Sequence, residues 1–287
     1  MFSQRRPSLS FRPAALPGLR CLLMITFVLG TGIAVPSAYA EESATQKDAT
    51  KPIPAELQAA VSRAEFLGRQ IYLHDRAAWL ATDAMFADKR MRERKNTIGG
   101  WLTEPTAHGI RVIFISRDDT PVRVYEIEMD EAERLSEATI ASPEPLTADH
   151  LAQLRARALT RSQTYMACAK TYNAVSMPSA DGIRVYLMPA FSEHGVYPLG
   201  GYHLYRTDAS GENIVESRKF SNGCIDHRDS TKKSPKGAKV AYGMFTHLLD
   251  PQPTEVHVFI SLYAKTPMMI MTLDNKTIWS VVNGKIE

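Results

Sequence analysis

This sequence predicts an α+β fold, with antiparallel sheet packed on a long, largely buried N-terminal helix and a second amphipathic helix. Three observations lead there. Strand-like segments come in consecutive runs rather than alternating with helices, which disfavours a doubly wound fold. A helical pattern from about Ala55 to Arg94 is apolar on most of its sides, as buried helices are. A second helical pattern follows Leu146-Thr147 and ends near Cys168, with Leu151, Leu154, Ala158 and Leu159 as its apolar positions.

Taken in order, the chain opens on a segment unlike the rest. Arg5, Arg6, Arg12 and Arg20 are its only charges, and the apolar run Leu22 to Val35 leads to Ala38-Tyr39-Ala40. That order of basic, apolar and small residues is a secretory signal peptide over 1–40. The run is shorter than the roughly 20 apolar residues of a membrane span. The expectation is a soluble periplasmic or secreted protein with no membrane span after cleavage. Residues 41–54 read as a flexible N-terminal segment. Residues 55–287 are the α+β globular region, with 55–142 and 146–287 as candidate β-rich halves.

In the first helix, Ala60, Ala64, Leu67, Ile71, His74, Ala78, Ala81 and Met85 recur at three- and four-residue steps. Tyr72, Trp79 and Phe86 form a second line, and Phe66, Leu73 and Leu80 a third. Gly68 is a candidate break. His74, inside the apolar line, reads as a hydrogen-bonded core histidine. Asp75, Trp79 and Asp83 share one side. Carboxylates flanking an aromatic can line a sugar or peptide site; ion pairing with Arg69 and Arg76 is the plainer expectation.

After Gly99-Gly100 come Trp101 to Thr103 and a hairpin of Ile110–Ser116 and Val122–Glu128. Beyond the second helix, Tyr172 to Val175 and Ile183 to Met188 are strand-like, and His194 to Pro198 is a loop. Tyr202–Thr207 and Asn213–Phe220 flank the turn Asp208-Ala209-Ser210-Gly211. Lys232 to Lys239 is a basic surface loop, and Ala241 to Leu249 fits helix or strand equally. Glu255–Tyr263, Met268–Leu273 and Thr277–Val282 close the chain as three predicted strands. Met268, Met269 and Met271 are expected to fill core.

Charge excludes one class of partner. The whole chain carries 34 basic and 31 acidic residues; without the leader's four arginines the balance is −1. Nothing electrostatic favours a nucleic acid. Of three cysteines, Cys21 falls in the leader. Cys168 and Cys224 remain, and an even pair in an exported protein predicts a disulfide. Closing a loop of 56 residue steps stabilises by about 4 kcal/mol.

Ser221-Asn222-Gly223-Cys224-Ile225 resembles the Ser-x-Gly-Cys core of L,D-transpeptidases, exported enzymes that crosslink peptidoglycan. The resemblance implies a Cys224 thiolate, a histidine base such as His194 and backbone amides as oxyanion donors. It also departs from that family. Asn222 stands where His is usual, Asp226 where Arg is usual, and His194 lies a whole hairpin upstream. A disulfide to Cys168 removes the nucleophile.

Asp226, His227 and Asp229 cluster near Cys224 but lack the two ligand pairs of a metal site, so no metal is expected. Ser230-Thr231-Lys232-Lys233 has Ser-x-x-Lys spacing without its companion motifs. Gly-x-Ser-x-Gly, phosphate-loop and dinucleotide fingerprints are absent from the sequence, and no cofactor is expected.

The segments Asp75 to Asp83, Val185 to Ala190, Gly200-Gly201-Tyr202-His203 and Leu248 to Val258 together resemble a family of exported proteobacterial proteins with no assigned activity. That resemblance implies export and no particular chemistry. The expectation is an exported binding or interaction protein of the bacterial cell envelope, whose partner is a protein, a peptide or an envelope ligand. The alternative is a cysteine-dependent cell-wall enzyme using Cys224.

Overall fold

The computed structural model describes residues 52–140, 143–228 and 243–287. The predicted leader, nearly all of segment 41–54, the loop Lys232–Lys239, Asp229 and the Ser230–Lys233 motif lie outside them. The described residues belong to one compact unit.

The class is α+β. Helix α1 (Ala55–Ala87) is followed by two single 3-10 turns, then by strands β1 (Ile98–Pro105), β2 (Gly109–Ser116), β3 (Val122–Asp130) and β4 (Glu144–Pro145) in one antiparallel sheet. The predicted hairpin is β2–β3, in register from Gly109↔Asp130 to Phe114↔Tyr125, with a register shift before Ile115↔Arg123. Helix α2 (Ala148–Arg161) leads to a second antiparallel sheet, β5 (Tyr172–Ser179), β6 (Gly182–Pro189), β8 (His203–Thr207) and β9 (Ile214–Lys219). A short ribbon pairs β7 (Val196–Pro198), inside the predicted loop, with β10 (Asp226–Arg228). The last sheet joins β11 (Gly243–His247), β12 (Met268–Thr272), β13 (Thr277–Val282) and β14 (Lys285–Ile286). Its β11–β12 pair is parallel, bridged by helix α3 (Glu255–Ala264).

The first helix departs from its sequence reading in two ways. It ends at Ala87 rather than Arg94, and it runs through Gly68 without a break. Gly68 is instead where α3 crosses: a Cβ there would lie 2.5 Å from Val258 Cβ and 2.6 Å from the Glu255 carbonyl oxygen. At an exposed helical site Gly→Ala gains about 1 kcal/mol; here the overpacking, about 1–3 kcal/mol, has the opposite sign. Gly68→Ala is therefore expected to lower the urea midpoint, and a raised midpoint would refute the close crossing.

The several apolar lines on α1 have a tertiary cause. Its first half, through Val61, Ala64 and Ile71, packs into a core shared with α3 and with the sheets of β6 and β12. Its second half, through Ala77, Ala81 and Met85, packs on β2 and β3 in a separate core. The helix thus turns different faces inward along its length. Burial is not complete: Phe66, Trp79 and Phe86 remain 63%, 53% and 58% exposed.

Two further readings are corrected. In α2, Leu151 and Ala158 face solvent, and the buried side is largely polar: His150, Gln153, Arg157 and Thr160. Hydrogen bonds satisfy most of that side, as burial demands, although His150 Nδ1 is buried without a partner among the described residues. His150 Nε2 pairs with Glu104 at 3.0 Å, Ser176 Oγ donates to Gln153, and Arg157 donates to the Trp101 carbonyl. The predicted strand Glu255–Tyr263 is α3. Its β-branched run suits a strand, but a helical start is built just ahead of it. The backbone N–H of Thr254, the N-cap, donates to Nδ1 of His257 at 3.0 Å, the place a capping-box Glu usually takes.

Candidate functional site

The sequence stretch Cys168–Cys224 is fastened as predicted. The two sulfurs form a disulfide, with Cα atoms 5.3 Å apart. Gly200-Gly201 makes room for it. At Gly201, φ is +85°, and a Cβ would stand 2.6 Å from Cys168 Cβ. At Gly200, a Cβ would stand 2.1 Å from the Gly223 carbonyl oxygen. Ser221 Oγ accepts the Gly201 N–H and donates to the Gly223 carbonyl, each at 3.0 Å. The Ser-x-Gly-Cys segment thus serves as a clamp. With the bridge closed, Cys224 has no thiolate to offer. Of the pair the transpeptidase resemblance implies, His194 lines a cavity whose lining does not include Cys224.

That cavity, of about 690 Å3, lies where α1 passes from one core to the other. Tyr72, Asp75, Arg76 and Trp79 enter from α1 because steps of three and four place them on one side. Trp101 comes from β1, Glu133 from the turn after β3, and Asn173 from β5. Phe191 comes from the β6–β7 connection, Tyr197 from β7 itself, and Tyr263 from the last turn of α3. The volume suits a small-molecule ligand.

The aromatic wall is braced edge to face. Tyr263 meets Tyr72 at 4.9 Å and Phe191 at 5.2 Å between ring centroids, and Phe191 meets Tyr197 at 5.6 Å. Polar groups are fixed against it. Glu133 accepts from the Tyr72 hydroxyl at 2.6 Å and from Arg76 Nε at 2.8 Å. Burial works against the Glu133 carboxylate, but these donors outweigh it and hold its pKa below the ordinary value. The Tyr72 hydroxyl is pushed up to about 12 by burial and then by Glu133. Glu133 also holds φ at +59°, a strained backbone that non-glycine residues adopt at about 1 kcal/mol or more. Such strain often marks functional sites, and here it sits at the cavity wall.

Asp75 behaves differently. It accepts a hydrogen bond from the Tyr263 hydroxyl at 2.7 Å, and Asn173 donates as well. Its neighbour Arg76 is committed to Glu133, so the predicted ion pairing does not take Asp75. Burial pushes its pKa up to about 6 against the help of those donors. Asp83, its predicted companion, is exposed and outside the cavity. His74, one residue back, faces the core and bonds Thr103 Oγ1 at 2.8 Å, as its pattern indicated.

Sequence reasoning missed Glu133, Asn173, Phe191, Tyr197 and Tyr263. They come from four separate segments, and no spacing relates them. Among the described residues, no three His, Cys, Asp or Glu side chains gather as a metal site would need. No helix there is long and apolar enough to cross a membrane. No family model, curated protein or solved structure matches the chain.

Proposed function

We propose that this chain is an exported protein of the bacterial cell envelope that binds a ligand in the aromatic cavity beside Asp75. Support for export comes from the predicted leader and from a disulfide, which persists in oxidising compartments. The observation that carries the binding role is Asp75 itself. A carboxylate kept half-buried without an ion pair opposes folding once it ionises. Its raised pKa is a proton held more tightly in the folded chain than in the unfolded one. Stability is therefore lost as pH rises from the ordinary carboxylate value through about 6. The loss is on the order of 3 kcal/mol at neutral pH. Groups whose ionisation is opposed in this way concentrate at functional sites, and Asp75 lines the cavity.

Asp75→Asn tests this without any ligand. The amide keeps an acceptor for Tyr263 and cannot ionise. At pH 7 the variant is expected to be about 2 kcal/mol more stable, after allowing for one weakened hydrogen bond. The melting point should rise by several degrees for a chain of this size. The advantage should shrink as pH falls from 6 towards 4. A variant less stable at pH 7 would make Asp75 a structural residue and remove the basis of the reading.

A further inference from the structure

Both tryptophans in the cavity wall already carry a cation. The Arg76 guanidinium carbon lies 4.5 Å from the Trp79 ring centroid, and that of Arg157 lies 4.8 Å from Trp101. An aromatic cage for an organic cation keeps its negative ring faces for the guest. Here each ring has one face taken by a guanidinium, which would also repel a second cation.

The other charges point the same way. Asp75 and Glu133 are matched in the lining by Arg76 and Lys265. Glu193, also in the lining, has Arg228 within 3.7 Å, and Arg228 is shared with Asp226 at 3.5 Å. No large excess of either sign is left to hold a strongly anionic or cationic ligand. A purely apolar ligand fits no better, because it would strip the remaining water from the Asp75 carboxylate and supply no donor in exchange. The wall thus offers flat ring area beside fixed polar groups that both donate and accept. A pyranose matches this, with C–H groups on its faces and hydroxyls around its edge.

Resting on the cavity reading above, we propose that the ligand is a neutral saccharide, stacked on Trp79 and hydrogen-bonded by Asp75 and Asn173. Trp79 is 53% exposed, so replacing it leaves the core intact. Trp279 is buried and bonded to Thr272, giving a constant fluorescence background.

The test titrates the purified full chain, followed by tryptophan fluorescence. The probes are three neutral trisaccharides (cellotriose, maltotriose and N-acetylchitotriose), benzyltrimethylammonium as the cation and citrate as the anion. Saturable binding of a neutral trisaccharide is expected, with affinity unchanged between about 50 and 500 mM salt. Trp79→Ala should weaken it about tenfold or more while the melting point holds. Binding that Trp79→Ala leaves unaltered would overturn the proposal. So would saturation by only the cation or citrate, or by none of the probes. Those failures concern ligand class alone, because the cavity reading is judged separately by the stability of Asp75→Asn.

Discussion

Acidification is expected to unfold this protein through two buried histidines. Burial holds His74 down to about 4. Burial, with His247 alongside, holds His257 down to about 3. The unfolded chain takes up these protons near the ordinary histidine value, and the folded chain only well below it. The stability they provide is complete above that value and falls as pH drops through 4 and 3. At about 1.4 kcal/mol per pH unit, the losses are on the order of 3 and 5 kcal/mol. Asp75 has the opposite sign and returns about 3 kcal/mol between pH 6 and 4. The net loss of about 5 kcal/mol by pH 3 rivals the entire stability of a typical domain, about 5–15 kcal/mol.

His257 gives this loss a location. Its Nδ1 accepts the Thr254 N–H, so a proton there breaks the N-cap of α3. It also sets a positive charge at a helix N-terminus, where the dipole opposes it. α3 is the helix that crosses α1 at Gly68, so the damage reaches the main core. Circular dichroism against pH checks the expectation. His74→Gln, which can still hydrogen-bond Thr103 but does not titrate, should move the acid midpoint to lower pH. An unchanged midpoint would remove His74 from the acid transition.

Opening the disulfide is the second large effect. Cys168→Ser frees a loop of 56 residue steps and should cost about 4 kcal/mol. With a urea slope of about 2 kcal/mol per molar, the midpoint drops by about 2 M. The native protein should show no thiol reactive to iodoacetamide until it is reduced. A labelled Cys224 in the unreduced protein would contradict the bridge and reopen the thiolate chemistry its surrounding motif resembles.

Local pattern carried much of the architecture. Alternation identified β2 and β3, and the Asp208–Gly211 turn identified β8 and β9, because both signals lie within a few adjacent residues. The pattern misled where the environment decided the outcome. The β-branched run of α3 reads as strand until its cap at Thr254 and His257 is counted. In α2, Leu154 packs on Ile113, Ile115 and Leu146, but Leu151 and Ala158 point outward, because the buried face combines Ala152 and Ala156 with polar side chains bonded to Glu104, Trp101 and Ser176. Gly68 reads as a break in one helix and serves as the contact between two.

The candidate site was half legible. Asp75 and Trp79 share a helix face, so spacing alone associated them. Their partners Glu133, Asn173 and Tyr263 lie far along the chain, and only packing brings them together.

Taken by itself, the amino-acid order determined the α+β class, the pairing of Cys168 with Cys224 and the extent of the strands β2, β3, β6, β8, β9, β12 and β13. Those that were read follow from composition, parity and short-range periodicity. Tertiary structure alone decided which faces of α1 are inside, which carboxylate pairs with Arg76, and that a cavity opens beside Asp75. A side chain's solvation and charge partners are set by whatever segments arrive around it, and one-dimensional spacing does not encode their arrival.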